Sequence, residues 1–308
     1  MNSKVNDNYK IYKLIGKGSF GSVYMTYDKD KNIYAAKVET KNNTEKLINE
    51  YKIYNILNKN NIIGLPKIYN LIQTPSFNIM IMEMLGPCLD KLFNKFKKKF
   101  SLSCVLLIGI DILNMIEQIH NMGFIHRDIK PQNFLINSNN NLVIIDFGLG
   151  KKYVRDSIHM KYCTNKNIVG TLRYASLNMH LGIEVSRRDD LESIGYMLIY
   201  FLKGILPWQG LTKKSGENQT EIIGNSKLCT SLDKLCFKLH SNFKKFIAYC
   251  RNLKFDETPN YDLLRNLLLD IAKENKIELV YDWTNNISVN IVNSAVNSDN
   301  SDIDYFDH

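Results

Sequence analysis

Apolar positions along the chain follow two periods. Over residues 9–82 they come in short runs separated by polar turns, as strands do. Beyond residue 100 they recur every three or four positions, as on helices. Residues 9–14 and 23–27 predict a first pair of strands, with a turn at Asp28-Lys29-Asp30, and residues 34–38 predict a third strand carrying one lysine. A helix is expected from near Thr44, because Leu47, Glu50, Tyr54 and Leu57 share one face. Residues 62–72 and 79–82 predict further strands, and the Gly86-Pro87 step breaks the pattern. Leu102, Val105, Leu106, Gly109, Ile112, Leu113, Ile116 and Ile119 form the stripe of a long helix. Residues 134–136 and 142–145, joined by an Asn-rich turn, predict a hairpin. A polar, irregular stretch runs to Thr171. An apolar helix opens at Ser186 and is ended by Pro207-Trp208-Gln209-Gly210, and helices are expected over residues 228–271 with a break at 255–259.

Composition adds bounds. A length of 308 residues sets a prior of roughly two domains. With 44% hydrophobic and 23% charged residues the chain can bury a sizeable core. No apolar run is read as reaching the ~18 residues of a membrane span, and residues 1–10 lack the apolar stretch of a signal peptide, so a cytoplasmic location is expected. Cys88, Cys104, Cys163, Cys229, Cys236 and Cys250 lack Cys-x-x-Cys spacing and read as reduced, mostly buried residues rather than zinc ligands. The net charge of +9 points to acidic partners without naming them. The cluster Lys95, Lys97, Lys98, Lys99 reads as a solvated loop, and no specific nucleic-acid site is expected.

The chemistry concentrates at residues 126–148. His126-Arg127-Asp128-Ile129-Lys130-Pro131-Gln132-Asn133 opens the predicted hairpin and Asp146-Phe147-Gly148 closes it. The hairpin therefore brings two carboxylates, an amine and an amide into one small volume. Phosphoryl transfer needs such a set: a group to orient the attacking hydroxyl, a cation against the moving phosphate, and oxygen ligands for Mg²⁺. Upstream, Gly16-Lys17-Gly18-Ser19-Phe20-Gly21 lies between two strands. A dinucleotide-binding Gly-x-Gly-x-x-Gly would open a helix instead, and Ser22 stands where a phosphate-loop lysine would be. Glu50, in the middle of an apolar helix face, needs a partner, and Lys37 is the natural one. At ~4 Å such a pair attracts by about 4 kcal/mol at an effective dielectric of about 20, before desolvation is subtracted.

In combination, His-Arg-Asp-x-Lys-x-x-Asn and Asp-Phe-Gly resemble the eukaryotic protein kinases. The resemblance implies an α+β, bilobal kinase fold, with a mainly β N-lobe, a mainly helical C-lobe and ATP between them. Residues 1–8 would be an N-terminal extension, 9–85 the N-lobe, 86–284 the C-lobe, and 285–308 an Asn/Ser/Asp-rich tail whose composition predicts disorder. It further implies Asp128 as catalytic base, Lys130 against the γ-phosphate, Asn133 and Asp146 as Mg²⁺ ligands, and Lys37, held by Glu50, on the α- and β-phosphates. ATP would lie under Gly16, Lys17, Gly18, Ser19, Phe20 and Gly21. Its adenine would meet Val23, Ala35, Met82, Leu135 and the segment from Glu83 to Leu85. Met82 is equally read as plain core packing.

The usual Ala-Pro-Glu is absent, and Ser176-Leu177-Asn178 stands near its place. That replacement resembles the casein kinase I family of serine/threonine kinases. So do Leu-Gly-Pro at 85–87, Lys-Phe-Ser-Leu at 99–102, His-Leu-Gly-Ile-Glu at 180–184, Ser-Arg-Arg-Asp-Asp-Leu-Glu-Ser from 186, and Leu-Pro-Trp-Gln-Gly at 206–210. The likeness covers about residues 9–284. It implies transfer from Mg-ATP to serine or threonine in acidic or already phosphorylated proteins, by a monomer, with Arg173 and Gly210 reading the substrate's anion. Two departures bear on that site: Gln132 replaces the family's aspartate, and Gln219 stands at the spacing of its loop lysine, with Lys213 and Lys214 nearby. A weaker preference for phosphorylated peptides is therefore expected. The loop also lacks the family's basic nuclear-targeting run, so nuclear entry is not supported. Ser298 and Ser301 in the acidic tail are candidate autophosphorylation sites. A catalytically silent scaffold is the alternative, but its usual sign, loss of Lys37, Asp128 or Asp146, is missing.

Overall fold

The computed structural model describes residues 8–18, 21–41, 45–212 and 216–284; expectations at Ser19, Phe20, Lys213, Lys214, Ser298 and Ser301 lie outside the described residues. Strands β1 (Lys10–Gly18), β2 (Gly21–Tyr27), β3 (Ile33–Thr40), β4 (Ile68–Gln73) and β5 (Phe77–Glu83) form an antiparallel sheet in the order β1-β2-β3-β5-β4. Side chains alternate across β5 as a pleat requires. Met80 and Met82 join Ala35 in the main core, while Ile79 and Ile81 pack with Ala36 on the other face under Tyr9, Ile11 and Tyr34. Helix α1 (Lys46–Lys59) buries Leu47, Glu50, Ile53, Tyr54 and Leu57, the predicted face.

The strand expected over residues 62–72 begins only at Ile68. Gly64 at φ 83° and Asn61 at φ 54° turn the chain first, and Pro66 has no N–H to give a ladder. That segment instead ties the sheet to the rest of the molecule, through Ile144 N donating to Gly64 O at 2.8 Å.

The remainder is mainly helical: α2 (Leu89–Lys95), α3 (Leu102–Asn121), α4 (Leu177–His180), α5 (Arg187–Lys203), α6 (Gln219–Cys229), α7 (Leu232–Leu235), α8 (Ser241–Asn252) and α9 (Tyr261–Glu274). Short strands β6 (Phe124–Ile125), β7 (Phe134–Ile136), β8 (Leu142–Ile144), β9 (Lys151–Lys152), β10 (Val154–Arg155) and β11 (Ile158–His159) pair as β7-β8, β6-β9 and β10-β11. The predicted hairpin is β7-β8, with Phe134 opposite Ile144. The stretch after Gly148 carries β9 to β11, so it is more regular than its polar composition predicts.

By length and composition α3 is apolar enough to cross a membrane, contrary to the reading that no run reaches that length. Its apolar residues are spent instead on α5, α9 and the β8 region. Ser101 caps α3 by accepting from Cys104 N at 3.1 Å. Helix α5 stops at Gly204, in the left-handed region at φ 76°, three residues before Pro207. Helix α6 starts nine residues ahead of the expected helical stretch, capped by Asn218, which accepts from Thr220 N at 3.0 Å. Of the six cysteines only Cys104, Cys236 and Cys250 are buried, while Cys163 and Cys229 are exposed.

Candidate active site

β3, α1 and the turn after β8 aim three charged groups at one point. Lys37 Nζ lies 2.6 Å from Glu50 Oε2 and 2.8 Å from Asp146 Oδ1. The Lys37 and Glu50 side chains are only 12% and 2% exposed. Burial pushes the Glu50 carboxyl up to about 7 against the opposing charge of Lys37. Burial also disfavours the Lys37 charge, but Glu50 and Asp146 together outweigh it and hold the amine above its ordinary value. For Asp146 burial works upward, yet Lys37 prevails and keeps the carboxyl below its ordinary value. Glu50 is therefore the first of the two carboxylates to take a proton as pH falls.

Asp146 sits at φ 70° and Arg127 at φ 68°, a conformation that costs non-glycine residues energy and needs fixing by neighbours. The neighbours are present. Asp146 N donates to Tyr54 Oη at 2.9 Å, and Phe147 packs between the rings of Tyr54 (5.1 Å) and His126 (5.0 Å). On the other side Asp190, at the start of α5, accepts from His126 N at 2.7 Å and Arg127 N at 2.8 Å. Behind it, His120 Nε2 lies 3.1 Å from Asp190, and His120 Nδ1 lies 2.7 Å from Tyr261 Oη.

These clamps place Asp128. One of its oxygens lies 2.7 Å from Lys130 Nζ. The other accepts from Thr171 N at 3.0 Å and Thr171 Oγ1 at 2.9 Å. Asn133 Nδ2 donates to Asp128 O at 2.8 Å, which orients the amide and leaves its oxygen end for another partner. Gly170, at φ 76°, makes the approach possible, since a Cβ there would lie 2.6 Å from Arg127 O and 3.0 Å from Asp128 Oδ1.

The donor set fits Mg²⁺ and a triphosphate. Both hydrogen bonds of the Asp146 side chain use Oδ1, so Oδ2 and the Asn133 amide oxygen are the two hard ligands that would meet a cation here, and Mg²⁺ characteristically takes one or two protein oxygens beside phosphates and water. Gly18 has open space where a Cβ would be, and Gly16 meets only Val23 at 3.8 Å. Neither glycine is demanded by packing, which suits close approach of a ligand to the β1-β2 hairpin. Gly21 differs: at φ 142° its Cβ would strike Val38 O at 2.1 Å, so it is required by the β2-β3 pairing itself.

Met82, opposite Ala35 across β3-β5, is 6% exposed, and Ala35 and Leu85 are buried as well. Val23 packs against the same core, and Leu135, half-buried, bridges to Cys88 just past the Gly86-Pro87 step. Glu83 N is taken by Lys67 O at 2.8 Å and its carboxylate accepts from Lys67 N, so β5 is pinned where the two parts of the molecule meet.

Arg173 lies with its guanidinium over the rings of Tyr174 (5.8 Å) and Tyr200 (5.7 Å), and the charge of Asp90 also favours its cation. Trp208 Nε1 donates to Arg173 O at 2.7 Å, which carries the turn ending at Gly210 to this segment. Gln219 opens α6, and Gln132 lies close enough to Asp90 to favour its charged carboxylate. Ser176 Oγ and Asn178 Nδ2 both donate to Asp189 Oδ1, at 2.6 and 3.1 Å, so the replacement of Ala-Pro-Glu is anchored by hydrogen bonds to α5.

Sequence reasoning missed Thr171, Gly170, Tyr54, Tyr261 and Lys227 as parts of this assembly. Asp190 stood in a quoted motif without a role. A comparison with protein-family models matches residues 9–267 to the protein kinase domain. That span carries the five-stranded sheet, the helical part as far as the first half of α9 and every side chain placed in the site above, and the chain belongs to the protein kinase family.

Proposed function

We propose that this kinase transfers phosphate to serine and threonine in acidic or already phosphorylated proteins, in the manner of the casein kinase I family. The observation that carries the reading is the substrate side of the site, where one loop joins Thr171, bound to Asp128, to the half-buried cation Arg173. An arginine can take a phosphate or carboxylate through two parallel hydrogen bonds, which makes that position suited to an acidic peptide. The net charge of +9 favours encounter with such partners.

Bound Mg-ATP supplies the phosphoryl group and a divalent charge against its oxygens. The residues of the chain do the rest. Asp128 orients the substrate hydroxyl and accepts its proton, a role usually worth ~10²–10⁴ in rate. Lys130, 2.7 Å from that carboxylate, places a positive charge beside the reacting oxygen. Lys37, held by Glu50, binds the phosphates distal to the transfer, and Asn133 and Asp146 hold the cation. Protein substrate meets Arg173 and the turn at Gly210. Gln132 and Gln219 remove one carboxylate and one amine from the family's pattern, so both repulsion and phosphate capture are weaker than its norm. We further propose that the chain acts as a monomer in the cytoplasm.

The test is phosphate transfer from ATP to casein by the wild type and by Asp128→Asn, with the modified amino acids identified after acid hydrolysis. Phosphoserine and phosphothreonine from the wild type alone are expected, and phosphotyrosine as the main product would overturn the reading. Paired peptides carrying phosphoserine or aspartate ahead of the acceptor should differ less in kcat/KM than in casein kinase I enzymes.

A further inference from the structure

Lys227 is buried to 0% exposure near the end of α6, a position that the pattern of that helix gives no reason to expect for a lysine. Its Nζ donates to Leu172 O at 2.7 Å and to Ala175 O at 2.6 Å. Beneath it lie two ring faces, Trp208 at 5.0 Å and Tyr196 at 5.2 Å. Trp208 itself reaches past Lys227 to donate to Arg173 O at 2.7 Å, and His180 Nε2 lies 3.4 Å from Leu172 O. Three carbonyls of one short loop, at 172, 173 and 175, are thus drawn to a single cation-and-ring cluster. That loop is closed on Thr171, whose carbonyl accepts from Tyr174 N and Ala175 N at 3.1 Å each.

An unpaired buried carbonyl is costly, so each of these needs a donor from inside the helical part. A leucine or methionine would fill the space of Lys227 with less desolvation but could not donate at all. One amine with several N–H groups can serve two carbonyls at once, and the ring faces compensate its charge.

We propose that Lys227 is a positioning residue for the substrate-facing loop: by holding the carbonyls of Leu172 and Ala175 it sets the backbone that aims Thr171 at Asp128 and presents Arg173 to the peptide. It acts through the loop and touches neither nucleotide nor substrate. The proposal rests on the reading that residues 171–176 face the protein substrate, and goes beyond it in naming what sets their conformation.

The experiment compares wild type, Lys227→Met, Trp208→Phe and, as a control buried in the first turn of α9, Leu264→Ala, using the whole chain with an acidic peptide and with ATP. Loss of two bonds from a buried amine predicts that Lys227→Met lowers kcat/KM for peptide roughly tenfold or more. The KM for ATP should stay within about twofold, because Lys37, Asn133 and Asp146 are held by contacts outside this loop. Trp208→Phe keeps the ring and loses one donor, so a smaller loss of the same kind, about three- to tenfold, is expected. Leu264→Ala should reduce the active fraction and leave both KM values alone. Hydrogen exchange gives a reading that needs no catalysis: amides of residues 171–175 should exchange faster in Lys227→Met while the β7-β8 hairpin is unchanged. If Lys227→Met behaves like Leu264→Ala, with unchanged peptide KM and unchanged loop exchange, the proposal is wrong. If Lys227→Met does not fold, Trp208→Phe decides, and wild-type kinetics and loop exchange for that variant overturn it. A wild type that phosphorylates no peptide would instead sink the functional reading, and loop exchange would still judge the role of Lys227.

Discussion

Thr171 gives both its backbone N–H and its hydroxyl to the same oxygen of Asp128, at 3.0 and 2.9 Å, across 43 residues of chain. The other oxygen of that carboxylate faces Lys130. A carboxylate held at both ends cannot rotate away from an incoming hydroxyl, and orientation of this kind is where a positioned base gains its advantage. Thr171→Val keeps the shape and the amide bond but loses the hydroxyl donor. A hydrogen bond to a charged group is worth about 1.5–3 kcal/mol, so kcat should fall roughly ten- to a hundredfold. Thr171→Ser should restore most of it. Steady-state kinetics with peptide and ATP check this, and a kcat for Thr171→Val equal to wild type would remove Thr171 from the mechanism.

Gly170 presents the complementary case, a residue that matters through what it lacks. Alanine there would need φ near 76° and would put its Cβ 2.6 Å from Arg127 O. Either the Arg127-Asp128 backbone or the loop must retreat, and strain of this kind costs of order 1–3 kcal/mol. Gly170→Ala is expected to fold, to lose about 1–3 kcal/mol in chemical denaturation and to lose far more in kcat than in ATP affinity. The informative comparison is with Gly182→Ala, also at positive φ (68°) but distant from Asp128, with Lys166 O as its nearest neighbour at 3.3 Å. That variant should lose stability and keep its turnover.

What the residues disclosed in advance and what they hid follow from the kind of interaction. Lys37, Glu50 and Asp146 were legible because a buried charge on an apolar face demands a partner, and because spaced motifs name the others. Strands β1 to β3 and helix α3 were legible from period alone. The start of β4 was not, since Gly64 and Pro66 interrupt a run whose apolar content still reads as strand. Helix α6 was missed because Glu221, Asn225 and Lys227 blur its period, and Lys227 is buried where a lysine reads as exposed. Thr171 and Tyr261 act on one carboxylate and one imidazole brought from far along the chain, and no spacing records such contacts.

The burial of Lys227 should be visible as a pH dependence of stability. Burial, partly offset by Glu192 and reinforced by Arg251, holds its amine down to about 7 from an ordinary value of 10.5. The groups around it are Tyr196 and Glu192 from α5, Arg251 from α8 and His180 from α4, whose imidazole burial lowers to about 4. In the unfolded chain the lysine keeps its proton up to about pH 10.5, whereas the folded chain gives it up near pH 7. Between those limits the unfolded state binds more protons, so stability rises with pH, by at most about 1.4 kcal/mol per pH unit. Lys227→Met lacks this contribution. Denaturation at pH 6, 7.5 and 9 should therefore show the wild type gaining on the variant as pH rises, and a gap that narrows instead would contradict the assignment. The neutral amine retains two N–H groups, enough for both carbonyls, so the loop need not come loose across this range.

Tyr261, on α9, is the far end of a relay that reaches the Asp128 loop without touching it. Its hydroxyl is 2.7 Å from His120 Nδ1, the other imidazole nitrogen is 3.1 Å from Asp190, and Asp190 holds the N–H groups of His126 and Arg127. Tyr153 adds a bond to His120 O at 2.7 Å, so the histidine is fixed at ring and backbone alike. Burial disfavours the imidazolium, so a neutral ring must donate toward Asp190 and accept from Tyr261. Tyr261→Phe removes that donor and leaves Nδ1 buried without a partner, which costs about 1–3 kcal/mol in stability. Asp190 still fixes the tautomer, but the ring loses one of its two side-chain tethers, and its bond to Asp190 loosens. Because Asp190 retains both backbone N–H groups, the catalytic effect should be small, a few-fold in kcat with peptide and ATP KM unchanged. Asp190→Asn, which weakens the clamp itself, should cost kcat far more. Urea midpoints and turnover for the two variants separate the claims: equal losses of turnover would mean that Tyr261 does more than hold His120, and an unchanged midpoint for Tyr261→Phe would mean that the relay contributes nothing to the fold.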